Sequence, residues 1–256
     1  GLYVRPGPVI TVTQTSISGN SFSGLGGYGG GIYLLCGYMT IRESTIEGNT
    51  ATTGSTSYGG GIDAGGTLTL TNSTVSANQA NQGGGINFSS CGAVVLTNST
   101  IANNTATSGG GIQDQQYYGG SLTLKNSVVA DNSGGNCVNF GEVHSAGYNL
   151  DSGNTCGFTN PGDLINTDPL LGPLQDNGGP TWTHALLEGS PAVDAADNVG
   201  CPTIDQRGIS RPQDGDGDGS AVCDIGAFEH PPTAHQLHLP AVMNQATRPG
   251  AGPRWR

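Results

Sequence analysis

Apolar and polar residues alternate in short segments through the first half of the chain. Five such segments align without gaps, at 10–17, 39–46, 68–75, 94–101 and 122–129. A two-residue period is the pattern of a β-strand that buries one face. Each apolar position stays apolar in every copy, so the copies predict strands stacked around one core. The predicted inward columns are Ile10/Met39/Leu68/Val94/Leu122, Val12/Ile41/Leu70/Leu96/Leu124 and Ile17/Ile46/Val75/Ile101/Val129.

A Gly-Gly-Gly-Ile run precedes four of these segments, at 29–32, 59–62, 83–86 and 109–112. Self-similarity at this period is the signature of a solenoid whose coils bury their apolar faces against one another. Parallel crossover connections favour the right-handed form. The sequence therefore predicts an all-β, right-handed parallel β-helix of about five to six coils, with a degenerate sixth coil through Val143–Leu150 and glycines at a tight corner.

Asparagine forms two further columns in the same alignment. One contains Asn72, Asn98 and Asn126, and the other contains Asn20, Asn49, Asn78, Asn104 and Asn132. Asparagine tolerates the left-handed backbone of a corner, and stacked amides can hydrogen-bond from one coil to the next. This packing role also accounts for the Asn-x-Thr sequons at Asn72 and Asn98 without glycosylation.

Composition excludes several classes of partner. The formal net charge is −11, so a polyanion such as nucleic acid would be repelled. Leu237–Met243 is too short to insert into a bilayer, and the given chain carries no signal peptide. The six cysteines form no CxxC pair, which argues against zinc and favours disulfides in an extracellular or cell-surface protein.

The cysteine positions predict specific pairs. Cys137 with Cys156 and Cys201 with Cys223 each close a short loop. Cys36 and Cys91 take equivalent positions two coils apart, roughly 10 Å at the strand spacing, which is beyond the reach of a disulfide. We therefore expect both of them to be unpaired thiols.

The amino-acid composition of the chain changes after Pro161, where prolines and acidic residues become more frequent. We divide the chain into a β-helix (1–160), a C-terminal capping module (161–230) and a flexible tail (231–256). The module is expected to cover the end of the last coil. Its apolar lid would come from Trp182, Leu186, Leu187, Ile225 and Phe228. Its charged network would come from Asp194, Asp205, Arg207, Arg211, Asp224 and Glu229.

Two resemblances accompany these features. The repeats at 29–49 and 78–104 resemble those of polymorphic outer-membrane autotransporters. The ordered motifs Gly189-Ser-Pro-Ala-Val-Asp194, Asp205-Gln-Arg-Gly208 and Cys223-Asp-Ile-Gly-Ala-Phe-Glu229 resemble the choice-of-anchor Q module. That module belongs to bacterial secreted β-helix proteins, and the resemblance implies a structural cap without chemistry of its own.

One motif suggests a cofactor. Asp214-Gly-Asp-Gly-Asp-Gly219 places carboxylates at alternate positions with glycine sixth, as a calcium loop begins. Ile225 stands where an EF-hand needs glutamate, and Asp224 comes one residue earlier. The candidate calcium ligands are Asp214, Asp216, Asp218 and Asp224; the alternative is a flexible acidic loop.

No catalytic residues are predicted. The outward strand columns hold no carboxylate pair, Asp63, Asp114 and Glu43 are expected to be solvated, and His184 is expected to be structural. Arg42, Val95 and Lys125 interrupt the outward threonines and disfavour ice binding. We expect a secreted or surface-displayed structural or adhesive protein that binds a polysaccharide or another cell surface through a lateral face. The alternative is a carbohydrate-active enzyme of the pectate-lyase-like type.

Overall fold

The computed structural model describes residues 1–7, 9–23, 26–52, 56–89, 92–115, 120–138 and 143–232. Cys91 and the tail from 233 onward lie outside the described residues. The strands are, in chain order, β1 Leu2–Val4, β2 Val9–Thr13, β3 Ser16–Ser18, β4 Ser21–Phe22, β5 Ile32–Leu34, β6 Tyr38–Arg42, β7 Thr45–Glu47, β8 Thr50–Ala51, β9 Ile62–Ala64, β10 Thr67–Thr71, β11 Thr74–Ser76, β12 Gln79–Ala80, β13 Ile86–Phe88, β14 Ala93–Thr97, β15 Thr100–Ala102, β16 Ile112–Asp114, β17 Ser121–Lys125, β18 Val128–Ala130, β19 Cys137–Val138, β20 Val143–Ser145, β21 Leu150–Asp151, β22 Leu164–Ile165, β23 Leu171–Gln175 and β24 Thr183–Leu186.

Parallel pairing joins every third or fourth strand, and finally β21 with β22, into long sheets that run along the solenoid. In the described part of the chain, sheet A is β1-β5-β9-β13-β16-β19 and sheet B is β2-β6-β10-β14-β17-β20. Sheet C is β3-β7-β11-β15-β18-β21-β22, and β4, β8 and β12 form a short fourth sheet. The predicted parallel β-helix is confirmed, and its degenerate sixth coil is present as β20 and β21.

The predicted inward columns form the core. Aligned positions pair in register, as Leu68 does with Met39 and with Val94, and the column members from the second coil onward are buried. Burial of each such side chain contributes roughly 1.5–3 kcal/mol. In the first coil Ile10, Val12 and Ile17 are only partly buried, because β2 and β3 pair on one side only.

The interior of the last coil is closed by the loop that follows β21. Phe158 and Cys156 are buried within the main core, and Thr155 Oγ1 accepts a hydrogen bond from the Cys137 amide at 3.0 Å. The predicted disulfide between Cys137 and Cys156 is present, and so is the one between Cys201 and Cys223.

We call the loop that contains the buried residues Cys156 and Phe158 the Phe158 plug. The C-terminal module follows it and lies along the side of the solenoid, on the outer face of sheet C. Its hairpin of β23 and β24 is antiparallel, and most of the rest is loop. Of the expected lid, Leu186, Ile225 and Phe228 are buried against Val128, Ala130 and Leu150 on sheet C. Trp182 and Leu187 remain 50 % and 48 % exposed. The expected lid therefore covers a lateral face, because Phe158 already fills the end.

The expectation of a free thiol at Cys36 is wrong, since this residue is disulfide-bonded. The estimate used the spacing of stacked strands, but Cys36 lies in a turn after β5, with φ 45°. The next coil carries Gly65 near this point, with its Cβ position 3.7 Å from the Cys36 nitrogen, so it places no side chain there. The predicted free thiol at Cys91 falls outside the described residues.

The structure confirms that stacked asparagines hydrogen-bond between coils and that asparagine occupies left-handed corners. Along Asn20, Asn49, Asn78, Asn104 and Asn132, backbone and amide nitrogens donate to the Oδ1 of the next level at 2.9–3.1 Å. Asn72, Asn98 and Asn126 adopt the left-handed backbone, with φ of 46°, 43° and 50°, and Asn126 Nδ2 also donates to the Asn98 Oδ1 at 3.2 Å. Among the described residues, no helix is long and apolar enough to cross a bilayer.

Candidate functional site

The outer face of sheet C is occupied by the module through hydrogen bonds at several levels. Gln206 contacts the Thr45 hydroxyl at 2.8 Å and the Thr74 hydroxyl at 2.7 Å. Asn72, Asn98 and Asn126 donate to the carbonyls of Ile204, Asp224 and Asp197, respectively. This asparagine column therefore docks the module, and the face it serves is closed to a large ligand.

His184 is part of the same seam and is structural, in keeping with the prediction. Its Nδ1 donates to the Gly172 carbonyl at 2.7 Å, and its Nε2 lies 2.9 Å from the Ser76 hydroxyl. Burial lowers the pKa of His184, which favours the neutral ring, and in that ring Nε2 accepts the Ser76 proton.

The expected charged network lies inside the module. Arg207 pairs with Asp205 at 2.7 Å, and the Arg211 Nε lies 3.4 Å from Glu229 in an ion pair too poorly aligned for a hydrogen bond. Burial, reinforced by the charge of Glu229, raises the pKa of Asp224 to about 8. These contacts stabilise the loops of the module.

The acidic loop brings together only part of the predicted calcium set. Oxygens of Asp194, Asp214 and Asp216 lie within 4.8 Å of one another. The Oδ1 atoms of Asp194 and Asp214 are buried without a hydrogen-bond partner. Asp218 is exposed and caps the Ser220 amide, while Asp224 is buried and accepts from the amides of Asp194 and His230. The carboxylates that converge are thus Asp194, Asp214 and Asp216, a donor set that suits a hard cation.

The outer face of sheet A presents aromatic side chains. Tyr3, Tyr33, Tyr28 and Tyr58 form a continuous stack, with successive ring centroids 5.3, 5.3 and 5.6 Å apart and interplanar angles of 14–17°. We call these four residues the tyrosine ridge. Contacting rings at such separations are offset, so part of each face stays uncovered. Tyr3 and Tyr28 are 50 % and 42 % exposed, and a groove of about 400 Å³ borders Tyr3, Tyr28 and Tyr33.

The outward positions that follow Tyr33 in sheet A are polar but buried. Asp63 is only 2 % exposed, and its Oδ1 accepts from Asn87 Nδ2 at 2.5 Å. Burial raises the pKa of Asp63 to about 6. Desolvation, with the charge of Asp63 second, also raises the pKa of Tyr33. The carboxylate therefore lies close to the ridge.

The expectation that Asp63 and Asp114 are solvated is wrong, because both are 2 % exposed. Asp114 pairs in register with Phe88 and therefore belongs to a core-facing column, whereas the glycine corner explains the burial of Asp63 in the outward column. At positive φ, Gly59 and Gly83 lay their backbone against the residue four positions later, so a Cβ on Gly83 would lie 2.6 Å from the Asn87 Cβ. Glu43 is partly exposed.

A column of half-exposed residues continues the ridge along the solenoid. Isolated parallel bridges connect Tyr28 to Tyr58, Tyr58 to Gln82, and Gln82 to Ser108. The Gln82 Oε1 accepts from Gln115 at 3.1 Å, and the Ser108 hydroxyl donates to Gln113 at 2.9 Å. Each of the four residues directly precedes a Gly-Gly-Gly-Ile run, a signal readable in the sequence that our prediction did not use.

The outer face of sheet B carries mostly small polar side chains, in contrast to the tyrosines on sheet A. Its outward residues are mainly threonines, and Tyr38 at the start of β6 is 59 % exposed without a stacking partner among the described residues. Lys125 turns away from this face, because its ammonium bonds Asp197 at 2.9 Å and the Val199 carbonyl at 2.6 Å. Arg42 stays exposed and still interrupts the threonine array.

Comparison with known proteins places the fold. A family model described as the right handed beta helix region matches residues 1–160. The chain therefore belongs to the right-handed β-helix family, and the match ends just after the Phe158 plug. No curated protein and no solved structure matches the chain.

Proposed function

We propose that this protein is a non-catalytic carbohydrate-binding β-helix of the cell exterior, which binds glycans at the tyrosine ridge. The β-helix fold is one found among surface and carbohydrate-related proteins, and the disulfides are compatible with an extracellular location. The resemblance of the module to choice-of-anchor Q modules supports a bacterial secreted protein. The observation that carries the proposal is the half-exposed stack of four tyrosines.

The chemistry of the ridge matches that of a sugar. A pyranose ring offers apolar C–H faces and a rim of hydroxyls, and an aromatic ring with a polar tip can contact both. In the described residues, the hydroxyls of the four ridge tyrosines make no hydrogen bond to the protein. They remain available to a ligand.

Binding without turnover is favoured over glycoside hydrolase activity. Glycoside hydrolysis normally needs two carboxyl groups facing one bond. The outward positions of sheet A in the described residues supply Asp63 alone, and it is covered by the glycine corner. A buried single carboxylate cannot act as such a pair.

The test compares Tyr28→Ala and Tyr28→Phe with the wild type by affinity electrophoresis in soluble polysaccharides, beside a reducing-sugar assay. Tyr28→Ala should weaken binding at least about tenfold, whereas Tyr28→Phe keeps the stack and should lose less. Tyr38→Ala, on sheet B, is the matched control and should bind normally. Equal binding by all variants would overturn the proposal, and release of reducing ends would favour the enzyme.

We also propose a calcium site at Asp194, Asp214 and Asp216, favoured by the two buried oxygens without partners. A cation there would offset the mutual repulsion of these carboxylates and tie the acidic loop to the module. Calcium chloride should raise the melting temperature of the wild type and of Asp218→Asn, but not that of Asp214→Asn. An equal response of Asp214→Asn, or no response at all, would exclude the site.

A further inference from the structure

The tyrosine ridge continues into a polar column, and this continuation defines the kind of glycan it would bind. We infer that the ligand is an uncharged, linear glycan lying along the solenoid axis, with Gln82 and Ser108 as additional binding residues. This inference rests on the proposed function.

Geometry sets the direction of the ligand. Tyr28, Tyr58, Gln82 and Ser108 occupy one column that the bridges connect level by level. At about 4.8 Å per level the column spans roughly 14 Å. All four residues are at least partly exposed, while Asn87 and Gln113 in the neighbouring column are buried. A chain molecule that follows the exposed residues must therefore run parallel to the axis.

The two polar residues are held in defined orientations. Gln115 donates to the Gln82 Oε1, which directs the Gln82 amide nitrogen away from that contact as a free donor among the described residues. Ser108 donates its proton to Gln113, so its oxygen offers lone pairs as an acceptor. Gln113 is itself fixed by donating to the Asp114 carbonyl at 3.1 Å. The column thus presents one donor and one acceptor to successive hydroxyls.

Charge excludes an acidic polymer at this face. Among the described residues, Arg5 is the one basic side chain beside the ridge, and its guanidinium lies 5.6 Å from the Tyr3 ring centroid at the far end of the stack. Asp63 is buried beside Tyr33, and the whole chain carries −11. The carboxylates of a polyuronate would be repelled by the negative charge of the protein, and no row of cations offsets this repulsion among the described residues. A neutral chain is not repelled in this way.

The experiment measures calorimetric affinities for neutral disaccharides and hexasaccharides of β-linked glucose, xylose and N-acetylglucosamine, and for polygalacturonate. For the neutral series that binds, the wild type should prefer the hexasaccharide. Gln82→Ala and Ser108→Ala should each lower hexasaccharide affinity by about three- to tenfold, the value of one hydrogen bond, and leave the disaccharide unchanged. Gln175→Ala, an exposed glutamine of the module, is the control.

The outcomes separate the two proposals. Unchanged hexasaccharide affinity in both variants, with Tyr28→Ala still defective, would overturn the axial chain and leave the ridge intact. Tighter binding of polygalacturonate than of neutral chains would overturn the uncharged class. If no oligosaccharide binds at either length, the proposed function fails as well.

Discussion

Two lateral faces of the same coils differ in exposure, because the module covers the outer face of sheet C and leaves that of sheet A open. On sheet C the outward positions carry small hydroxyl groups in the middle coils and apolar side chains in the last ones. The module covers the former with Gln206, His184 and its own backbone, and it packs Leu186, Ile225 and Phe228 against the latter. On sheet A the first coils carry tyrosines, and no described segment lies over Tyr3 or Tyr28. The periodic core is common to both faces. What stands at the outward positions, and not the repeat itself, therefore decides which face is structural and which is open to a ligand.

The covered face depends most on one buried cation, so the largest expected effect is there. Arg211 donates to the carbonyls of Asp224 and Gly226 at 3.0 and 2.8 Å and pairs with Glu229. Arg211→Leu would leave that carboxylate buried without its partner. We expect a loss of about 3–5 kcal/mol in the unfolding free energy of the module, measured by urea titration of tryptophan fluorescence.

The matched control is Arg42→Leu, which removes an exposed arginine of sheet B and should change stability little. Limited proteolysis should cut the Arg211→Leu module first and leave the solenoid intact. Loss of glycan binding in this variant would contradict the independence of the two faces.

The difference between the faces marks the limit of sequence reasoning. The core columns and the sixth coil could be predicted because apolar residues repeat with a fixed period. The module's position could not, because Thr45 and Thr74, which it covers, look the same as Thr69 and Thr71, which it does not. Asp63 was missed because a backbone conformation at Gly59, rather than any side-chain pattern, buries it. Asp194 joins the acidic loop only through the fold of the module.

The asparagine ladder belongs to the solenoid, so breaking it should have the complementary effect. Asn104 Oδ1 accepts from the backbone and the amide nitrogen of Asn78, both at 3.0 Å and fully buried. Asn104→Ala leaves these donors without an acceptor and should cost about 2–4 kcal/mol. Hydrogen exchange should locate the loss in the coils. Thr107→Ala, an exposed neighbour, should be neutral; equal losses in both variants would mean that the ladder contributes nothing specific.

The open face can be tested by pH. The pKa of Asp63 is raised to about 6, so the folded state holds this proton more tightly than the unfolded chain. The contribution of Asp63 to stability is therefore present below about pH 4 and is lost as the pH rises through about 6. Asp63→Asn keeps an acceptor for Asn87 and removes the buried charge. It should be more stable than the wild type by about 2–3 kcal/mol at pH 8 and equal to it near pH 4. A pH-independent difference would show that packing, not ionisation, is altered.

The rim of the covered face should give the smallest effect and the one most sensitive to salt. Lys125 and Asp197 are each about a quarter exposed, at 25 % and 27 %, so water screens their 2.9 Å contact. The hydrogen bond from Lys125 nevertheless lowers the pKa of Asp197, which means that the pair is ionised at neutral pH. Lys125→Met retains most of the aliphatic stem and should cost no more than about 1 kcal/mol at low salt.

Urea titrations of Lys125→Met, Asp197→Asn and the double variant, at low and at high sodium chloride, isolate the coupling energy between Lys125 and Asp197. That coupling should shrink as salt is added, because exposed charges are screened. A coupling that is large and independent of salt would mean that the Lys125–Asp197 pair is less accessible to water than its exposed fraction implies. The pair would then stabilise the contact between module and solenoid as strongly as the buried hydrogen bonds of Gln206 do.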